Sequence, residues 1–202
     1  MHDLKKILNS SEKRISTLLK RQEVNKLKEG CYVYELEADS TIPSEYILLM
    51  HYLGDINLGI QEKIVKYLLL KQNKDGGWPL FYDGNTDLSA SVKAYYALKL
   101  SGLSTESKEM RKAKKCILGK GGAEKANVFT KISLALFSQI TWNSIPLMPI
   151  EIIKFPNWFP FTIYKISYWS RTVLIPLLII MHRKPIALNP NKTCISELFL
   201  KK

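Results

Sequence analysis

Apolar residues recur at helical spacing along most of this chain, and glycine, proline or asparagine separates one helical stretch from the next. Such spacing is typical of amphipathic helices, whereas no stretch shows the strict alternation of a β-strand. The sequence therefore predicts an all-α fold. We expect the second helix to begin at Pro43 and end at Gly54, because proline suits the first helical position and glycine follows helix ends. The predicted helices cover residues 3–29, 43–53, 60–72, 88–100, 106–118 and 125–139.

Glycine turns recur about every 46 residues between these helices, a period typical of paired-helix arrays. Gly30-Cys31-Tyr32 and Gly76-Gly77-Trp78 follow similar helices, and Gly121-Gly122 marks a weaker third copy. A helix hairpin of this kind cannot bury its own apolar face, so neighbouring hairpins must stack. The stack is either an open solenoid or a closed double ring of helices, and the periodicity of the sequence is compatible with both.

The turn formed by Gln72, Gly76 and Trp78 has specific chemistry. The glutamine amide can hydrogen-bond a helix end while the indole packs on the next hairpin, and glycine allows the tight turn between them. Such a turn would tie neighbouring helix ends together on the outside of a bundle. The alternative is that this short pattern arose by chance.

The formal charge of +12 is spread along the chain, with basic clusters at residues 5–28 and 108–115 and towards the C-terminus. In residues 108–115 the basic side chains alternate with apolar ones, as on the solvated face of an amphipathic helix. Attraction to anionic lipid headgroups is a second interpretation of this charge. A third is nucleic acid, but the sequence has no nucleic-acid motif and no interleaved aromatic platform, so we expect no nucleic-acid partner.

The cysteines and histidines are too far apart in sequence to indicate a metal site or a disulfide framework. We expect reduced thiols, no metal and a cytoplasmic location. The longest apolar run, Val173 to Met181, is too short to span a bilayer and contains Pro176. The N-terminus has no apolar secretory core. The cysteines are Cys31, Cys116 and Cys194, and the histidines are His2, His51 and His182.

Five segments match one known family in order and spacing: residues 72–78, 88–99, 121–131, 149–152 and 167–172. On these segments the chain resembles the class II triterpene cyclases, most closely the N-terminal part of squalene–hopene cyclases. Gln72 to Trp78 looks like the QW motif of that family. The resemblance implies two α/α barrels with a substrate cavity between them.

On this resemblance we expect the chain to hold only part of the toroid. A charged helix start would occupy residues 1–17, and a partial cyclase domain of helical hairpins would occupy residues 18–202. Family members are much longer, so we expect the chain to end near the point where the first barrel segment gives way to the second.

The resemblance also implies a chemistry. In this family an aspartic acid protonates the terminal double bond of a polyprene such as squalene, and rings close through carbocations in an apolar, aromatic-lined cavity. No metal or organic cofactor is required. Known members lie on one leaflet of a membrane, which implies a peripheral position on the inner membrane face.

Three residues match cavity positions of the family. Trp169 and Phe129 correspond to aromatic residues that face the substrate, and Glu45 to a glutamate near the water that removes the final proton. Each also has a simpler interpretation: a packing tryptophan on an apolar helix, a core phenylalanine, and a first-turn glutamate stabilised by the helix dipole.

Other positions depart from the family. Lys93 stands where the family has glutamate and Asn127 where it commonly has arginine, so the polar network around the terminating water is altered. The Asp-x-Asp-Asp acid of the family is absent from the sequence. Asp83 and Asp87 lie too far apart to supply it and are better explained as a solvated loop and a helix cap.

Two functions follow from these observations. The first is a cyclase module, inactive alone, that works with a separately encoded C-terminal chain or is a remnant. The second is a non-catalytic helical repeat protein that binds a partner or a membrane surface through its basic face. A prenyl-binding relative of protein prenyltransferases shares the helical ring, but residues 128–172 fit it poorly.

Overall fold

A computed structural model of the chain describes residues 2–24, 39–160, 162–189 and 192–200. The chain divides into two units, residues 1–37 and 38–202. In the first unit, α1 covers His2–Val24. The predicted turn at Gly30-Cys31-Tyr32 lies outside the described residues, as does the predicted end of the first helix.

The regular secondary structure of the second unit is helical except for one short β-ribbon in the described residues, which confirms the all-α prediction. None of the described helices is both long and apolar enough to cross a membrane. The α-helices are α2 (Thr41–Leu53), α3 (Leu58–Leu70), α4 (Leu88–Leu100), α5 (Lys108–Gly119), α6 (Val128–Leu136) and α7 (Tyr168–Arg183). Short 3-10 helices lie at Ala123–Lys125, Trp142–Ser144, Ile150–Lys154, Ile163–Lys165 and Ser196–Leu198.

The start of α2 differs from the prediction. The helix begins at Thr41, so Pro43 is its third residue and not its first. The Asp39 carboxylate explains the earlier start, because it accepts a hydrogen bond from the Thr41 main-chain N–H at 2.8 Å. Proline is tolerated at this position because the first four N–H groups of a helix have no intrahelical acceptor. Gly54 ends the helix with a left-handed φ of 73°, as predicted.

Helix α4 lies at the centre of the second unit and has the predicted bounds. Every residue from Leu88 to Leu100 is buried except Leu88 and Lys99. A helix buried on all sides must be surrounded by other elements, and α4 packs against α2, α3, α5, α6 and the turn after α3. Asp87 caps its N-terminus by accepting from the Ala90 N–H at 2.8 Å, as predicted.

Helix α5 is amphipathic. Met110, Ala113 and Ile117 are fully buried and face the core. Arg111, Lys112 and Lys115 are exposed, which confirms that this basic cluster forms a solvated helix face.

A short β-ribbon and one helix were not predicted. Trp78–Pro79 (β1) pairs antiparallel with Thr86–Asp87 (β2), and strands of two residues are too short to show alternation. Helix α7 contains the apolar run with Pro176 in its interior. Proline usually breaks a helix, because it removes a hydrogen bond and crowds the preceding turn, yet α7 continues through Pro176.

Residues 192–200 pack against the buried centre of the fold. Ile195 and Leu198 are completely buried. The Glu197 carboxylate accepts hydrogen bonds from Lys99 Nζ and, at 3.0 Å, from Tyr95 Oη. Burial by itself raises the pKa of Glu197, but the hydrogen bonds from Lys99 and Tyr95 outweigh it and lower the pKa below its ordinary value. Burial and the nearby Glu197 carboxylate raise the pKa of Tyr95 well above its usual range.

Candidate functional site: an apolar cavity beside an ion pair

Two of the three predicted cavity residues line one apolar cavity, which we name the α2–α6–α7 cavity. It has a volume of about 450 Å³. This lies within the usual range for sites that bind small molecules. Glu45 enters it from α2 and Phe129 from α6. The other lining residues are Leu48, Leu49, Tyr52, Ile132, Ser133, Leu136, Phe137, Leu177, Ile180 and Pro185.

The wall of this cavity is fixed by the way α2, α6 and α7 present their side chains. In α6 the lining residues Ile132, Ser133 and Leu136 lie three, four and seven positions after Phe129, which places all four on one face of the helix. Phe137 follows directly and packs edge to face on Tyr52 of α2, with ring centroids 6.4 Å apart. The aromatic contact ties the two helices together at the cavity.

Phe129 is 55% exposed and forms part of the cavity surface. The simpler interpretation of it as a core phenylalanine is therefore wrong. The helix that carries it begins at the Asn127 cap, whose side chain accepts from the Thr130 N–H at 2.8 Å. The Asn127 main-chain N–H donates to Ser89 Oγ at 2.9 Å, which fixes this cap to α4.

Trp169 does not line the α2–α6–α7 cavity. It lies in the first turn of α7 and is 76% exposed, so it is not a packing tryptophan. The neighbouring Tyr168 is equally exposed. The structure thus brings Glu45 and Phe129 together in one cavity, and Trp169 lies outside the lining of that cavity.

Glu45 forms an ion pair across the helix interface. Its Oε1 accepts from Lys93 Nζ of α4 at 2.5 Å. The Lys93 side chain is only 7% exposed, whereas that of Glu45 is 47% exposed. Because α2 begins at Thr41, Glu45 is the fifth helical residue and not part of the first turn, so the dipole interpretation was wrong.

The turn after α3 contains the three residues that were predicted to form a structural motif. Gln72 Nε2 donates to Gly76 O at 2.8 Å and to Glu109 O of α5 at 3.0 Å. The Trp78 indole is completely buried, and its Nε1–H donates to Leu68 O of α3 at 2.7 Å. These three residues join the end of α3 to the start of α5.

Asp75 and Cys116 contact each other beside this turn. Burial raises the pKa of Asp75 on its own, but hydrogen bonds from the Gly77 N–H, Thr86 and Cys116 outweigh it and lower the pKa. Burial and the Asp75 carboxylate raise the pKa of the Cys116 thiol. Cys116 and Cys194 are free thiols, and Cys31 lies outside the described residues. No metal-binding cluster of histidine, cysteine and carboxylate side chains occurs in the part of the chain that the structure describes.

A second and larger cavity, of about 710 Å³, has a more polar lining that includes Lys131, Gln139 and Ser196. None of Glu45, Phe129 and Trp169 lines it.

Residues 13–202 match the family described as the squalene-hopene cyclase N-terminal domain. The chain belongs to this family. Over 190 residues it is 50% identical to a squalene–hopene cyclase of Zymomonas mobilis, covering 94% of this chain and 28% of that protein. Over 171 residues it is 36% identical to a squalene–hopene cyclase of Alicyclobacillus acidocaldarius, covering 85% of this chain and 27% of that protein. A dammaradiene synthase of Dryopteris crassirhizoma is 35% identical over 171 residues, with 85% and 25% of the two chains covered.

Membership of the squalene–hopene cyclase N-terminal domain family agrees with the helical fold, which corresponds to an incomplete terpenoid cyclase toroid. The chain spans about a quarter of the length of these curated relatives.

The pairing of Lys93 with Glu45 was not predicted. The sequence showed Lys93 as a reversed charge relative to the family pattern, but its partner lies 48 residues away. A signal was available, because a lysine that replaces a carboxylate near a second carboxylate is placed to form an ion pair. The comparison with the family pattern also did not predict that Asn127 caps α6, although asparagine is a preferred residue at the N-cap of a helix.

Proposed function

We propose that this chain is the N-terminal segment of a squalene–hopene cyclase-like triterpene cyclase, contributing one wall of the cavity in which a squalene-like polyprene is cyclised. The match over residues 13–202 to the squalene–hopene cyclase N-terminal domain carries the proposal. Within the chain we assign residues 1–17 to a charged helix start and residues 18–202 to the partial cyclase domain. The non-catalytic alternative is not favoured, because the curated relatives are named as cyclases and synthases.

The α2–α6–α7 cavity supports the proposal because its lining suits a hydrocarbon. Apart from Glu45 and Ser133, its lining residues are aliphatic or aromatic. Burying a hydrocarbon chain there removes apolar surface from water, at about 25 cal/mol per Å². Phe129 would present a ring to the chain, and aromatic rings stabilise nearby positive charge.

The proposed reaction is an isomerisation. A proton adds to the terminal double bond, ring closure converts π bonds into carbon–carbon σ bonds, and loss of a proton from the final carbocation restores the composition. In this scheme Glu45 is one of the polar residues around the water that removes the final proton. Lys93 alters this polar network, because it stands where the family has a glutamate. Trp169 would face the polyprene only in a complete cavity, which agrees with its present exposure.

The chain by itself is proposed to be inactive. Protonating an alkene requires a strong acid, and the sequence lacks the Asp-x-Asp-Asp motif that supplies it in the family. The rest of the cyclase would provide the acid and the opposite wall of the cavity.

We further assign Gln72, Gly76 and Trp78 to a QW motif. Their hydrogen bonds to α3 and α5 support this assignment, since they link neighbouring helix ends.

We also place the protein on the inner membrane face as a peripheral protein. The charge of +12 and the exposed basic face of α5 support attraction to anionic lipid.

A chimera tests the proposed function. Residues 13–202 of this chain replace the matching region of the Zymomonas mobilis relative, and the purified chimera, the chain alone and the unaltered relative are each incubated with squalene. Products are identified by gas chromatography with mass spectrometry. We expect pentacyclic products from the chimera and the relative and none from the chain alone.

Two results would overturn these claims separately. Pentacyclic product from the chain alone would show that it carries its own acid. A chimera that unfolds as cooperatively as the relative but forms no product would show that this segment does not build the cyclisation cavity.

A further inference from the structure

The ion pair between Glu45 and Lys93 has an asymmetric environment. The Lys93 ammonium is buried beneath the helix interface, at 7% side-chain exposure, and does not line the α2–α6–α7 cavity. The Glu45 carboxylate does line it and is half exposed. The cavity therefore presents one anionic group, and the compensating positive charge lies 2.5 Å behind it.

Charge compensation matters here because the rest of the lining is apolar. Serine and tyrosine contribute the only other side-chain polar groups of the described lining, and no second charged residue is among them. In such surroundings a charge acts over a longer range than it does in water. A carboxylate without its partner would attract a cationic ligand into the cavity, whereas the ion pair leaves the cavity electrically neutral.

We propose that Lys93 determines the charge preference of the α2–α6–α7 cavity: by neutralising Glu45 it makes the cavity select an uncharged hydrocarbon chain over a cationic amphiphile of the same shape. The inference rests on the proposed function in one respect, since it requires the cavity to hold a hydrocarbon chain. It goes further by assigning ligand selectivity to a buried residue that does not contact the ligand.

Two probes of matched shape test this proposal. N,N-dimethyldodecylamine is cationic at neutral pH, and 2-methyltetradecane replaces its nitrogen with carbon. Equilibrium dialysis of the full chain against each probe, below the micelle concentration of the amine, gives two affinities and their ratio. We expect the wild-type protein to bind the hydrocarbon more tightly than the amine.

Substitutions at the ion pair should move this ratio in opposite directions. Lys93→Met keeps the side-chain volume but leaves Glu45 uncompensated, so the amine-to-hydrocarbon affinity ratio should rise about tenfold. Glu45→Gln leaves the ammonium uncompensated and should lower the ratio. Lys93→Arg, which keeps the charge, and the double variant Lys93→Met/Glu45→Gln, which removes both charges, should stay near the wild-type ratio.

Two controls locate the effect. Lys99→Met removes the lysine of another α4 ion pair, with Glu197, which lies outside the cavity lining, and should leave the ratio unchanged. Ser133→Trp places a bulky side chain in the cavity and should weaken the binding of both probes equally.

The outcomes separate the inference from the proposed function. Suppose that the hydrocarbon binds the wild-type protein and that Ser133→Trp weakens this binding. If the folded variants Lys93→Met and Glu45→Gln then have the same amine-to-hydrocarbon affinity ratio, Lys93 does not set the charge preference of the cavity. If the hydrocarbon does not bind the wild-type chain, or binds it equally well in Ser133→Trp, the cavity is not a hydrocarbon site, and this overturns the cavity claim together with the inference.

Discussion

The side-chain amide of Gln72 donates a hydrogen bond to the main-chain carbonyl oxygen of Glu109, 37 residues further along the chain, at 3.0 Å. A second N–H of the same amide reaches Gly76 O within its own turn. One side chain thus joins a turn after α3 to the first turn of α5.

Replacing Gln72 with methionine should remove both hydrogen bonds while keeping most of the side-chain volume. Both carbonyl groups would lose a partner in a part-buried site, so the free energy of unfolding should fall by about 1–3 kcal/mol. Urea unfolding measures the change. Glu62→Gln at an exposed position of α3 is the matched control and should change the free energy of unfolding by less than about 0.5 kcal/mol. Equal effects of the two substitutions would contradict a linking role for Gln72.

Gly76→Ala should destabilise the protein more than Gly102→Ala. Both glycines have a left-handed backbone, with φ of 95° and 90°. At Gly76 an added Cβ would lie 2.5 Å from the Lys112 carbonyl carbon, whereas at Gly102 it would meet nothing within 4 Å. We expect about 1–2 kcal/mol of destabilisation at Gly102 from backbone conformation alone. At Gly76 we expect about 3 kcal/mol or more.

Thermal and urea unfolding of the two glycine variants measure the difference, which isolates the close approach of α5 to the turn. A Gly76→Ala protein as stable as Gly102→Ala would mean that α5 can move away from the turn at no cost.

Acidification should destabilise the fold partly through Glu197. Its pKa in the folded protein is lowered, so as the pH falls the unfolded chain takes up this proton first. The stabilisation is complete above the pKa of the unfolded chain and is lost as the pH falls through the lower folded value. Between about pH 3 and 7, the free energy of unfolding of Glu197→Gln should therefore depend less steeply on pH than that of the wild-type protein. An equally steep dependence in both proteins would contradict this assignment.

Phe129 and Trp169 should differ in their effect on hydrocarbon binding. Phe129 lines the α2–α6–α7 cavity and Trp169 does not. Phe129→Ala should weaken the binding of 2-methyltetradecane to this chain about three- to tenfold, because apolar contact is lost. Trp169→Ala should leave that binding unchanged, yet reduce product formation in the chimera, where a second wall would enclose the tryptophan. Weaker hydrocarbon binding in Trp169→Ala would place the bound chain elsewhere.

The helices that depend on local sequence signals were predicted well. Helix α4 has both predicted ends, since Asp87 and Gly102 provide a cap and a stop that are visible in the sequence. Helix α7 was not among the helices for which bounds were predicted, and it continues through Pro176, a residue that usually breaks helices. The predicted start of α2, at Pro43, lies two residues too late. The Asp39 carboxylate accepts a hydrogen bond from the Thr41 N–H, so the helix begins at Thr41.

The candidate site could be predicted in part. The resemblance singled out Glu45 and Phe129, which share a cavity, but their arrangement depends on how α2, α6 and α7 pack. The Lys93 ion pair joins two helices that are distant in sequence, and periodicity within either helix carries no information about it. Trp169 is separated from the cavity by its place on α7, which residue spacing did not reveal.

The burial of Ile195 and Leu198 has a consequence for the order of events during synthesis. Tyr95 of α4 and Glu197 are separated by 102 residues, so a ribosome completes α4 long before the side chains that cover it are made. Until then the nascent chain displays apolar surface that the finished protein hides, and contacts so distant in sequence form slowly. A transcript cut short before codon 195 would consequently yield a product that chaperones retain or that aggregates, even though all seven α-helices of the described structure had already been translated.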